Sequence, residues 1–318
     1  MIDLLHKDKT GDPQAGRTRA RQRILRSTAA LPSLVTLGNG ILGFAAIHFA
    51  TKPLPFTLYE QGQAAAAGWV GHNLMIAAWM LLGAMVCDAL DGRLARMTRR
   101  TSDFGAQLDS LCDAISFGVA PAILMLRLMQ SVLVPLVGEV GVDIYPEAPL
   151  LGKAMWVIAA LYASCAILRL ARFNVENVPD ESAHMNFKGM PSPGAALPVI
   201  SLVLLYEHLA SATSGWKSTP WLEDIVIWAV PTVTLSAALL MVSRLRYRHL
   251  INQYIRGRKP FGYIVKLVMI VLVLAAFIDP QITLAVVATG YLFSGPVSWL
   301  WRRIHRRQQP QPQPPTPG

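Results

Sequence analysis

The chain has 318 residues, 53% of them hydrophobic and only 15% charged, with a mean hydropathy of +0.39 and a net charge of +10. A soluble domain of this size carries about 25% charged residues and needs no long apolar runs, so a soluble globular enzyme is excluded. The basic residues gather in loops between apolar runs, a pattern of membrane orientation and anionic-lipid contact rather than of nucleic-acid binding.

In chain order, residues 1–27 form a basic cytoplasmic arm. Arginines alternate with Ile24, Leu25 and Ala29 over residues 17–30, so an interfacial amphipathic helix and a disordered arm both fit. No small-residue cleavage site follows the first apolar run, which is therefore read as a retained span rather than a signal peptide. A membrane domain over 28–303 then holds candidate spans at 31–50, 70–90, 105–136, 150–171, 191–212, 224–243, 263–279 and 281–301, each near the ~20 residues a crossing needs. Residues 304–318 are a Pro/Gln-rich disordered tail.

Loop charge tests the count. Arg93, Arg96, Arg99 and Arg100, then Arg172 and Lys188, then Arg244 to Lys259, then Arg302 to Arg307, all fall on the side of the amino-terminal arginines if there are eight spans. The predicted fold is thus all-α: a polytopic helical bundle of about eight transmembrane helices with both termini cytoplasmic. Cys87, Cys112 and Cys165 lie in apolar runs without metal-type spacing and read as small buried hydrophobes.

The acids around the second and third spans carry the chemistry. Asp88 and Asp91 stand three apart, and Asp109 and Asp113 four apart, so each pair shares a helical face. A short loop makes the two helices antiparallel neighbours whose acidic faces converge. Carboxylates are rare inside a bilayer and usually functional, and four converging ones need cations to stay ionised. Hard oxygen ligands suit Mg²⁺ or Mn²⁺, two ions being a natural load. Gly92, Ala95 and Gly105 allow close approach of a bulky ligand, and Arg96 is placed to neutralise a phosphate oxygen, so a diphosphate substrate is expected.

The pattern Asp88-x-x-Asp91-Gly92-x-x-Ala95-Arg96, eight residues, Gly105-x-x-x-Asp109-x-x-x-Asp113 resembles the signature of the CDP-alcohol phosphatidyltransferase family at every fixed position. The resemblance implies transfer of a phosphatidyl group from a CDP-linked lipid to an alcohol with release of CMP. It also implies that Asp88, Asp91 and Asp109 bind metal and help hold the CDP group, and that Asp113 both joins them at the metals and serves as the general base. Three further stretches resemble the membrane-embedded phosphatidylserine synthases: Pro32 to Asn39 with Gly43, Asp113 to Pro121, and Arg169 to Asn174 followed by Phe187 to Pro193. Met190 and Gly194 depart from that pattern, where Leu and Ala are usual. The resemblance covers roughly residues 30–300 and implies CDP-diacylglycerol and L-serine as substrates, a homodimer, and a bacterial-type cytoplasmic membrane with the site facing the cytoplasm.

A serine acceptor carries a carboxylate and calls for a cation. Arg169 and Arg172, three apart, offer guanidinium forks, Lys188 a further charge, and Asn174 an acceptor for the ammonium group. Other acceptors (glycerol 3-phosphate, inositol phosphate or choline) remain open with the same chemistry. From a different class, so does a divalent-cation transporter, which would spread its acids through the bilayer depth.

Overall fold

The computed structural model describes residues 13–53, 55, 63–98, 103–137, 149–176, 189–210, 220–243, 245 and 279–306. Regular structure among these is helical throughout: α1 (Pro13–Ala50), α2 (Gln63–Thr98), α3 (Asp103–Asp113), a π segment (Ala114–Val119), α4 (Ala120–Val137), α5 (Pro149–Glu176), α6 (Ser192–Ala210), α7 (Pro220–Val242) and α8 (Pro280–Arg306). Seven of the described helical stretches are long and apolar enough to cross a membrane: Pro32–Ala50, Gly68–Leu94, Phe104–Leu133, Leu150–Val175, Ser192–Ala210, Leu222–Val242 and Pro280–Trp301. Each coincides with an expected span, and the protein is a multi-pass membrane protein. The remaining expected span, 263–279, lies outside the described residues but for its last position, as does most of the carboxy-terminal tail. The basic stretch 17–30 is helical, and α1 continues from it through Pro32 into the first span.

Large apolar side chains such as Leu34, Ile41, Phe44, Trp156 and Trp228 point outward, as they must where the solvent is lipid. Small residues take the places where helices meet. On α1, a methyl added to Gly40 would stand 2.9 Å from the Cys112 sulfur, and one added to Gly43 would overlap Ser116. Ser116 also donates from its hydroxyl to the Asn39 carbonyl at 2.9 Å, so α1 is bolted to the third span where α3 gives way to the π segment.

The π segment has a local cause in Pro121. The Phe117 carbonyl would pair with the N–H four residues on, but that residue is Pro121, which has none. The helix widens, Ala120 N–H bonding five residues back to the Ile115 carbonyl. Backbone angles at Asp113 and Ala120 stay α-helical, so α3, the π segment and α4 form one continuous rod. Fully buried Tyr162 on α5 completes the arrangement, donating its hydroxyl to the Phe117 carbonyl at 3.1 Å.

At the same end of the bundle as the acids, Gly189 adopts φ +97°, a conformation open to glycine. Its N–H reaches the Leu245 carbonyl at 2.9 Å, and Met190 N–H reaches that of Leu240 at 3.1 Å. The chain entering α6 is thereby tied to the end of α7, which fixes Ser192 at the first position of α6.

Candidate active site

Asp88 and Asp91 lie near the end of the span in α2, and Asp109 and Asp113 near the beginning of the next. One carboxylate oxygen from each of Asp88, Asp91 and Asp109 lies within 4.8 Å of the others. Asp91 Oδ2 and Asp109 Oδ1 are buried without a hydrogen-bond partner among the described residues. Buried carboxylate oxygens held together and left unpartnered are costly unless a cation joins them. That donor set fits a divalent metal ion.

Asp113 belongs to the same constellation but is held differently. It is 8% exposed and accepts a hydrogen bond from Asn39 Nδ2 on α1 at 3.0 Å. Asn39 is itself wholly buried. Thr36, one turn earlier, stands beside Asp91 and donates its hydroxyl to the Pro32 carbonyl at 3.0 Å. The α1 helix therefore forms one wall of the acidic site.

The opposite wall is cationic. Arg169 on α5 donates to the Ser192 hydroxyl at 2.9 Å and lies within Coulombic range of Asp88, Asp113 and Tyr291 on α8. A methyl added to Gly194 would stand 2.9 Å from Tyr291 Cε1, so the glycine makes room for that ring. Arg172, one turn beyond Arg169, is exposed. Asn174 accepts a hydrogen bond from the Ser110 hydroxyl at 3.0 Å, which brings it next to Asp109. Gly92 is half-buried, and a methyl there would meet nothing within 4 Å, leaving open space beside the acids. Gly105 sits in the first turn of α3. The Ala95 and Arg96 side chains and all of Lys188 lie outside the described residues.

Four residues at this site drew no individual assignment from sequence. Thr36 and Asn39 entered only as part of a resembling stretch, although a polar side chain in the middle of an apolar run was itself a signal. Ser192 likewise entered only within the resembling stretch Phe187 to Pro193, and Tyr291 gave no signal at all, since its place depends on where α8 packs.

The sequence profile of CDP-alcohol phosphatidyltransferases matches residues 29–235. Among curated proteins, the CDP-diacylglycerol–serine O-phosphatidyltransferase of Mycobacterium tuberculosis is 32% identical over 225 residues, covering 69% of this chain and 65% of that one. The protein of the same name from Helicobacter pylori is 29% identical over 275 residues, covering 86% of this chain and 92% of that one. The one from Bacillus subtilis is 30% identical over 220 residues, covering 69% and 90%. The acids that the fold gathers lie inside the matched region, and the chain belongs to the CDP-alcohol phosphatidyltransferase family.

Proposed function

We propose that the protein transfers the phosphatidyl group of CDP-diacylglycerol to the hydroxyl of L-serine, giving phosphatidylserine and CMP. The observation that carries this reading is the convergence of Asp88, Asp91 and Asp109 beside a separately held Asp113, with Arg169 across from them. The names of the relatives supply the acceptor.

Asp88, Asp91 and Asp109 would hold Mg²⁺ or Mn²⁺, two ions being the expected load, and the bound cations supply charge neutralisation for the diphosphate and the departing CMP. Gly92 and Gly105 leave the helix backbones open to the CDP group, and the small Ala95 and the basic Arg96 of the same motif would serve the diphosphate. Asp113 takes the proton from the serine hydroxyl as that oxygen bonds to the lipid-linked phosphorus. The bond from phosphorus to the CMP oxygen breaks in line, CMP leaves as the phosphate anion, and the proton passes from Asp113 to water.

Arg169 and Arg172 bind the serine carboxylate, Asn174 accepts from its ammonium group, and Lys188 is a further cationic candidate for the acceptor. Arg93, Arg99 and Arg100 beside the acidic ends support a site on the cytoplasmic face of a bacterial-type inner membrane. The transporter alternative finds little support, because the four acids gather at one end of the bundle instead of along it. A homodimer is what the family resemblance implies.

The test is purified protein with CDP-diacylglycerol, Mn²⁺ or Mg²⁺, and one acceptor at a time, following CMP release. Release that depends on L-serine, with phosphatidylserine as product, supports the reading. Turnover with glycerol 3-phosphate, inositol phosphate or choline in place of serine reassigns the acceptor.

A further inference from the structure

We infer that Asn39 is the positioning residue for Asp113, fixing which of its two carboxylate oxygens faces the acceptor. This rests on the reading of Asp113 as the group that takes the serine proton.

The two residues are 74 positions apart, on helices that touch along their small-residue faces. A carboxylate oxygen accepts only from a donor, so the amide nitrogen of Asn39 is the atom that must face Asp113. The bond engages Asp113 Oδ1 at 3.0 Å and leaves Oδ2 for the reaction. Without it the terminal torsion of an aspartate is broad and nearly two-fold, and either oxygen would point either way. Proton transfer needs the accepting oxygen within hydrogen-bond reach of the attacking hydroxyl, and misplacement by about 1 Å costs on the order of 100-fold in rate.

Asn39 is well suited to this task because its own place is over-determined. Its side chain has no exposed surface, and its backbone carbonyl is held by the Ser116 hydroxyl at 2.9 Å. Gly40 and Gly43 just beyond it press against Cys112 and Ser116. Asn39 Oδ1 is buried with no partner among the described residues. No competing acceptor interaction sets the amide's orientation, so the bond to Asp113 does.

The experiment uses the full-length protein in detergent with CDP-diacylglycerol, L-serine and Mn²⁺, comparing wild type, Asn39→Leu, Asn39→Asp, Asp113→Asn and the exchange Asn39→Asp with Asp113→Asn. For each, kcat, both KM values and the melting temperature are measured. The single Asn39 variants are expected to lose about 10- to 100-fold in kcat while both KM values stay within about threefold. The exchange is expected to recover the melting temperature, because donor and acceptor are restored with sides reversed, while kcat stays at the Asp113→Asn level. Should Asn39→Leu not fold, Asn39→Asp and the exchange still decide. Wild-type kcat in a folded Asn39 variant overturns the inference, and so does a loss confined to KM. Retention of kcat by Asp113→Asn instead overturns the reading of Asp113, and is distinguishable because it appears with Asn39 intact.

Discussion

The Tyr162 hydroxyl donates to the Phe117 carbonyl at 3.1 Å, supplying from α5 the proton that Pro121 withholds within the third span. Tyr162→Phe removes the donor without changing the ring and leaves a buried carbonyl unpaired. A loss of about 1–3 kcal/mol is expected, read as a lower melting temperature in detergent. The π segment begins at the residue after Asp113, so kcat should fall as well. An unchanged melting temperature would show that the carbonyl finds another donor.

Two glycines separate backbone from side-chain obstruction. A methyl on Gly43 would run into the Ser116 backbone, whereas one on Gly71 would meet only the carboxylate tip of Glu207, a buried acid at the opposite end of the bundle. Backbone cannot step aside and a carboxylate can swing. Gly43→Ala is expected to destabilise by about 1–3 kcal/mol and to impair activity, because it pries α1 from the rod carrying Asp113. Gly71→Ala should cost less and leave kcat in place. Equal melting temperatures for the two variants would contradict the packing described for α1.

Arg169 and Arg172 are distinguishable by kinetics. Arg169 is braced by Ser192 and faces the acids, while Arg172 is exposed one turn away. If both hold the serine carboxylate, Arg172→Ala raises the serine KM about 10-fold or more with the CDP-diacylglycerol KM little changed. Arg169→Lys, which keeps the charge and loses the fork, should do the same and also lower kcat. A serine KM unmoved in an active Arg172→Ala variant ends the carboxylate-clamp assignment for that residue.

Chelation tests the three-aspartate group. Excess EDTA is expected to abolish CMP release, and added Mn²⁺ or Mg²⁺ to restore it. Asp91→Asn replaces a buried anionic oxygen by a neutral amide and should shift the Mn²⁺ titration to about 10-fold or more higher concentration. Full activity after exhaustive chelation would remove metal from the mechanism.

The acids were legible in sequence because helical spacing converts positions three and four apart into a shared face, and a short loop brings two such faces together. Spans were legible for a similar reason, since an apolar run has to reach across a bilayer. The Asn39–Asp113 bond was not, because it depends on α1 packing parallel to a rod 74 residues away, a relationship no local pattern encodes. The π segment was equally hidden, since it needs both the proline at 121 and a tyrosine donor from α5 that only the packed bundle brings to it. Residues 17–30 show the limit of composition, which fits an interfacial helix and a disordered arm alike, whereas in the structure α1 runs through them without a break into the first span.

Tyr291 beside Arg169 ties α8 to the acidic cluster that begins at Asp88. Translation delivers the acids early and their cationic counterpart in instalments: Arg169 with α5, its Ser192 brace with α6, and the aromatic ring with α8. The acids of α2 and α3 therefore enter the bilayer before the cation across from them, and an insertion intermediate that stops short of α5 carries their negative charge without Arg169 to offset it.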